Sequence, residues 1–226
     1  MMKSHPRPKT RPASLAVPTL ALAAVLALAG CANGDGQEAE GPEGAEGPDE
    51  DSDPAEQQAV VATAEVADAQ GEVVAEVDFA PVESGIEVNV TADSMEPGFY
   101  GFHLHQIGEC EPESQAPDDP EQTGDFMSAG GHLPGEDGAD HPDHAGDMPV
   151  LLVMEDGTAQ MSVVTDRFDE SMLTDDDGTA VVIHADEDNF AHVPDRYLDE
   201  GEDEPDEDTL ATGDAGDRLA CGVVEG

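Results

Sequence analysis

An alternating pair, His103-Leu104-His105, opens a spaced series of histidines that constrains this chain more than any other feature. Side chains repeat every two residues along a β-strand, so the two imidazoles fall on one face. Phe102 and Leu104 then turn the other way, into a core. The series continues with His132, His141-Pro142-Asp143-His144-Ala145-Gly146-Asp147 and His184. Of the eight histidines in 226 residues, only His5 and His192 fall outside it. Three imidazoles with one carboxylate make a closed tetrahedral set suited to zinc, whereas imidazoles alone around a partly open position suit copper. The series holds enough ligands for both. One ring can serve two cations, because each nitrogen binds one once both protons are lost.

The stretches Gly101-Phe102-His103-Leu104-His105, Gly130-Gly131-His132, His144-Ala145-Gly146-Asp147, Val181-Val182-Ile183-His184 and Gly213-Asp214-Ala215-Gly216-Asp217-Arg218-Leu219-Ala220-Cys221-Gly222-Val223 resemble copper/zinc superoxide dismutases of the bacterial secreted type. The resemblance covers residues 59 to 226, and the last motif is the most specific. It implies copper held by His103, His105, His132 and His184, and zinc held by His132, His141, His144 and Asp147, with His132 as the shared imidazolate. Asp188, four residues after His184, matches an aspartate that hydrogen-bonds a copper histidine and a zinc histidine together. Such partners fix ring orientation and metal affinity. Arg218 would present superoxide with a charge that does not titrate away, and Thr212 matches the residue that narrows the other side of the channel. The implied reaction converts superoxide to dioxygen and hydrogen peroxide, with His132 taking up a proton in one half and releasing it in the other. The spacing from His141 to His144 is only three residues, much shorter than in the eukaryotic relatives. A catalytically idle copper-binding lipoprotein of the same family is the alternative; the complete copper set together with Arg218 argues against it.

The pattern from about Ala59 onward is that of an all-β chain. Val73, Ala75, Val77 and Phe79 alternate with acidic or small residues, as do Ile86, Val88 and Val90 with Glu87, Asn89 and Thr91. Turn-like Asp68-Ala69-Gln70-Gly71 and Glu83-Ser84-Gly85 separate these runs. Further apolar runs at 150 to 154, 160 to 165 and 179 to 184 complete a set of short antiparallel strands, with no helical period of comparable strength. A Greek-key antiparallel β-barrel or sandwich is expected. Two long segments, 106 to 149 and 185 to 217, interrupt the strands, and loops that long in a compact domain are usually functional.

The first 58 residues cannot belong to that core. Lys3, Arg7, Lys9 and Arg11 precede an apolar run, Leu15 to Ala29, which closes on Leu28-Ala29-Gly30-Cys31. This reads as a lipoprotein signal over 1–30, too short to be a retained spanning helix. Three cysteines leave one odd member in an exported chain, and lipidation of Cys31 supplies the explanation. The family resemblance pairs the other two, Cys110 and Cys221, as an intrasubunit disulfide. Residues 31–58 are mostly Gly, Pro, Ala, Asp, Glu, Gln and Ser and are expected to form an acidic disordered tether. The expected location is extracytoplasmic, on the outer face of the membrane.

Beyond residue 30 the chain has three Arg and no Lys against 54 Asp and Glu, a formal charge of 3 − 54 = −51. Nucleic acid is excluded as a partner on this balance, whereas a homodimer is left open. The acidity is expected to suit a halophilic setting, where salt screens self-repulsion. The run Leu198 to Asp208 should repel a small anion at low ionic strength.

Overall fold

The computed structural model describes residues 59–135, 139–198 and 204–226. The signal and tether segments lie outside them, as does part of the acidic run, 199–203.

Three strands, β1 (Ala62–Asp68), β2 (Val73–Val82) and β3 (Gly85–Ala92), form an antiparallel meander. Alternation decides which side chains go inside: Val66, Val77, Phe79, Val88 and Val90 are buried, while Glu65, Glu76 and Asp78 stay in solvent. Val73 departs from the expectation and is exposed. A bulge after Val66 pairs Ala67 with Val73 and skips Val74, so the inward-facing parity slips at that end of the strand.

The remaining strands are β4 (Gly98–Tyr100), β5 (Phe102–His105), β6 (Ser114–Gln115), β7 (Thr123–Gly124), β8 (Leu151–Val153), β9 (Ala159–Thr165), β10 (Ala180–His184) and β11 (Arg218–Val223). One antiparallel sheet runs in the order β5-β10-β11-β1-β2-β3-β9. Its edge strands β5 and β9 are joined by the ribbon β4–β8, since β4 leads into β5 through Gly101 and β8 into β9 through a turn at Asp156-Gly157. The C-terminal β11 lies between β10 and β1, and β9 pairs with β3, so neighbours in space are remote in sequence. This is the curled all-β Greek-key architecture expected. Two short α-helices also occur among the described residues: α1 (Glu170–Leu173) and α2 (Glu207–Thr212). Asp206 caps α2 by accepting from Thr209 N–H at 2.9 Å, and Gly213 ends it in the left-handed region. Among the described residues no helix is long and apolar enough to cross a membrane.

Phe102 and Leu104 enter the main core with Leu151, Leu173 and Ile183. On the opposite face of β10, Ala180 and Val182 pack with Phe126, Ala129 and Cys221 in a second, smaller cluster. That cluster is the underside of the first long loop, and the Cys110–Cys221 disulfide ties the same loop to β11 across a separation of 111 residues. Closing a loop of that length restricts the unfolded chain. Replacing both cysteines with alanine is expected to lower the unfolding free energy by about 5 kcal/mol on the chain-entropy account, read from urea denaturation of the oxidised wild type and the variant.

Candidate metal centre

The site begins with an edge strand. β5 pairs with β10 on one side only, which leaves backbone groups on the other side to be satisfied. The first long loop supplies the partners: Leu104 N–H donates to Gly146 O at 2.9 Å, and Leu104 O accepts from Leu133 N–H at 2.7 Å. A β-carbon at Gly146 would collide with Leu104 O, so only glycine permits this approach. The result is two isolated bridges, His103 to Asp147 and His105 to His132. Ligand-type residues 27 and 44 positions apart are thereby placed side by side, as 132 − 105 and 147 − 103.

Hydrogen bonds then fix which nitrogen of each ring carries a proton. His103 Nε2 lies 2.8 Å from Asp188 Oδ2, His105 Nδ1 2.9 Å from Gly130 O, and His184 Nδ1 3.2 Å from Gly216 O. Each of these nitrogens faces an acceptor and donates to it, so the lone pair of a neutral ring sits on the other nitrogen. His105 Nε2 and His184 Nε2 approach to 3.4 Å. His103 Nδ1 and His132 Nε2 are buried with no protein partner. One ligand atom from each of His103, His105, His132 and His184 lies within 4.8 Å of the others, and all four residues are buried. Burial, reinforced by neighbouring imidazoles and Arg218, pushes His105 and His184 far below the usual histidine range, so both rings stay neutral.

The second group adjoins the first through His132, whose other nitrogen, Nδ1, lies 2.7 Å from Asp147 Oδ1. His141 Nδ1 is 3.0 Å from the same oxygen but out of line for a hydrogen bond, and it too is a buried nitrogen without a partner. His144 approaches Asp147 Oδ2 through both its backbone N–H, at 2.9 Å, and Nδ1, at 3.1 Å. The mutually closest set here is His103, His132, His141 and Asp147. His144 reaches the cluster through Asp147 and keeps 16% of its side chain exposed. Asp188 spans the two groups: Oδ2 accepts from His103 and Oδ1 accepts from His141 Nε2 at 2.8 Å. Burial opposes charge on His132 and lowers it to about 4 despite Asp147. Burial is outweighed at His141, which Asp147 and Asp188 raise to about 9. Burial likewise acts against the charge on Asp147 and Asp188, yet the surrounding ring N–H groups hold both well below the usual carboxylate range.

Three buried nitrogens without partners are an unusual concentration of unsatisfied polar atoms in a folded chain. Ring nitrogens gathered within 4.8 Å of one another and left without protein partners, on rings whose other nitrogens are held by acceptors, are what a bound cation requires. The donor set therefore fits copper on the imidazole side and zinc on the Asp147 side.

Access is through a cleft of about 950 Å³ lined by His105, His132, His184, Arg218 and Thr212. Arg218 faces His184 across the β10–β11 pairing and donates to Phe126 O at 2.7 Å and Gly130 O at 2.6 Å. Burial lowers its pKa to about 10, which leaves it charged at neutral pH. Thr212 turns its hydroxyl back to Asp208 O, 2.8 Å away. His192 is exposed. Sequence reasoning missed the carbonyls of Gly130, Phe126 and Gly216, for which no side chain speaks. It also missed Phe190, whose ring stacks on His141 at 6.2 Å and whose N–H donates to Asp188 Oδ1.

Fold and site together define a β-barrel metalloprotein with two adjoining imidazole-rich sites. Residues 70–224 match the family model described as copper/zinc superoxide dismutase. The Cu-Zn superoxide dismutase of Mycobacterium bovis is 40% identical over 188 residues, covering 81% of this chain and 76% of that protein. That of Mycolicibacterium paratuberculosis is 42% identical over 155 residues, 66% of each. Among solved structures, the Cu/Zn superoxide dismutase of Brucella abortus superposes with a TM-score of 0.55 at 26% identity, covering 72% of this chain and 98% of that one. A doubly substituted SOD-like protein from Bacillus subtilis gives 0.52 at 28% identity, covering 73% and 97%. The chain belongs to the copper/zinc superoxide dismutase family, an oxidoreductase class with superoxide as substrate and copper and zinc as cofactors.

Six carboxylates line the cleft, Asp118, Asp119, Asp125, Asp208, Asp214 and Asp217, and Arg218 is the one cation among the lining residues. The acidic lining comes from both long loops, not from the Leu198 to Asp208 run alone. Raising salt shortens the reach of these charges from roughly 10 Å at 0.1 M to about 3 Å at 1 M, while short-range attraction at Arg218 survives. Catalytic efficiency is expected to rise by roughly tenfold from low to molar sodium chloride, the low end of what surface fields do to encounter rates. Pulse radiolysis across that range, with circular dichroism to establish that the fold is kept, measures it; a steady fall with salt would overturn it.

Proposed function

We propose that the chain dismutates superoxide at copper held by His103, His105, His132 and His184, beside zinc held by His132, His141, His144 and Asp147. The observation that carries this reading is the fixed direction of the ring protons: His103, His105 and His184 each spend one nitrogen on Asp188, Gly130 or Gly216 and turn the other inward. His103 stands within reach of both groups but has a single lone pair to offer, because Asp188 takes its Nε2 proton. Copper has the stronger claim on it, since the imidazole-only set needs all four rings. His132 differs in directing one nitrogen to each side.

Copper, when bound, supplies a one-electron couple that takes an electron from one superoxide and returns it to the next. The chain's residues do the rest. Arg218, partly buried and fixed by two carbonyls, binds and orients the anion beside the imidazoles at the cleft floor. His132, which also lines the cleft, holds a proton on Nε2 after the first half-reaction and passes it to the departing peroxide in the second; solvent in the cleft supplies the other proton. A superoxide assay on the copper- and zinc-loaded chain tests the reading. His184→Ala is expected to abolish copper binding and activity while zinc is retained, and Asp147→Ala to lower mainly zinc content and thermal stability. Equal loss of both metals in each variant would refute the division.

The same proposal places the enzyme outside the cytoplasm, anchored to the outer face of the membrane through a lipid on Cys31. Support comes from the basic and apolar start of the chain and from cysteine pairing, because Cys110 and Cys221 bond to each other and leave Cys31 over. A diacylglyceryl group brings two acyl chains, enough for stable anchoring where one is marginal. The acidic surface suits work in concentrated salt, where its self-repulsion is screened. Cys31→Ser is expected to move the protein from the membrane fraction to the medium, by fractionation and immunoblot; retention in the membrane would contradict the anchor.

A further inference from the structure

Beyond residue 30 the chain has only three basic side chains, Arg167, Arg196 and Arg218. Arg196 lies over the ring of Tyr197 at 4.6 Å, and Arg218 belongs to the cleft. Arg167 has no part in the reaction described above, yet it reaches the segment that joins His141 to Asp147. It lies two residues beyond the end of β9, where its own N–H donates to Thr165 Oγ1 at 3.2 Å. Its Nη1 donates to Pro142 O at 2.5 Å and to His144 O at 3.2 Å. Nη2 is 3.5 Å from Asp143 Oδ1.

We propose that Arg167 is a positioning residue for the zinc side of the centre, holding the carbonyls of Pro142 and His144 so that the rings of His141 and His144 are presented to Asp147 at the right spacing. The inference rests on the zinc assignment made above. The rest of this segment is anchored mainly at its ends. His141 N–H donates to Leu210 O at 2.7 Å, and Gly146 O accepts from Leu104 N–H at 2.9 Å. Between these two anchors Ala145 is buried in the main core, and among the described residues the hydrogen-bonded tie to another part of the fold is Arg167. The gap of three residues between the histidines leaves little chain to adjust, so the placement of their carbonyls largely decides where the rings stand.

The carbonyls, not Asp143, are the effective partners. Asp143 is 78% exposed and at the far limit of an ion pair, and exposed pairs contribute little and are screened by salt. A charged donor on neutral carbonyls keeps its short-range strength when long-range fields are screened. Lysine could replace it only in part, since reaching two carbonyls with one terminal nitrogen while another faces Asp143 uses the forked guanidinium. Arg218 follows the same pattern at the other end of the loop, with both its hydrogen bonds on loop carbonyls.

The test uses the full chain stripped of metal and titrated with zinc alone against a competing chelator. Copper affinity and the unfolding midpoint of the metal-free protein are measured in parallel. Arg167→Ala is expected to weaken zinc binding by about 10- to 100-fold, the usual cost of losing a residue that orients a ligand, with copper affinity and the metal-free midpoint unchanged. Arg167→Lys should recover part of the loss, and Asp143→Asn should bind zinc as the wild type does. The proposal is overturned if Arg167→Ala keeps wild-type zinc affinity while Asp147→Ala loses it. Equal loss of copper, or a lower metal-free midpoint, would make Arg167 a general support of the fold and overturn it too. An Asp143→Asn variant as weak as Arg167→Ala would transfer the role to the ion pair. If Asp147→Ala itself binds zinc normally, the zinc assignment fails and this inference falls with it.

Discussion

Leu104 faces two ways, and the centre depends on both. Its side chain is fully buried in the barrel core, while its backbone N–H and C=O, on the free edge of β5, accept the first long loop through Gly146 and Leu133. A buried backbone group without a partner costs about as much as a lost hydrogen bond, so the loop cannot lift away without replacing those contacts. Because Leu104 stands between His103 and His105, the residues that satisfy it also set Asp147 and His132 against the two histidines. A one-residue slip of β5 would send both imidazoles into the core and Leu104 into the site. Core packing and metal-site geometry are thus enforced by a single register.

The loops that cover the site also fix its proton arrangement. Gly130 O accepts from His105 Nδ1 at 2.9 Å and from Arg218 Nη2 at 2.6 Å, using both of its lone pairs. One carbonyl therefore orients a ring of the histidine cluster and the guanidinium that lines the cleft beside it. Gly130 itself has positive φ, and a β-carbon there would crowd Gln106 and Ile107, so the position excludes larger residues on both counts. Asp188 does the corresponding work between the two metal sides, and a β-carbon on Gly213 would collide with it. Glycine-bounded motifs in this chain mark close backbone approach to the histidine cluster.

Strand periodicity made the meander readable, because inward residues such as Val77 and Val88 alternate with carboxylates that cannot be buried. It failed at Val73, where a bulge shifts parity, and bulges leave no side-chain signature in a run of small apolar residues. The helix α2 was missed because six residues are too few to show a 3.6-residue period, although Asp206, the acidic first turn and Gly213 carry its capping signals. The histidines and Asp147 were legible through spacing and family resemblance, and the structure gathers them in two adjoining groups in which His144 lies further out than His103. What could not be read was whatever depends on backbone oxygens: the roles of Gly130, Gly216, Phe126 and Pro142 arise only after the loops have folded back. Arg167 was invisible for the same reason, since its partners are carbonyls.

A chain this acidic poses a sorting problem, for 54 carboxylates compete to surround two metal sites that use very few. Burial solves it. Among the described residues the buried carboxylates are Asp147 and Asp188, and each is held by ring N–H groups that offset the loss of water. A carboxylate without such donors cannot enter a low-dielectric interior without a cost of several kcal/mol, so the remaining acids, whatever their number, stay in solvent. The histidines thus select their own acidic partners. Negative charge can accumulate on the surface and along the cleft without altering the composition of the centre, and what it alters instead is the field in the cleft, where Arg218 is the one cation among the lining residues.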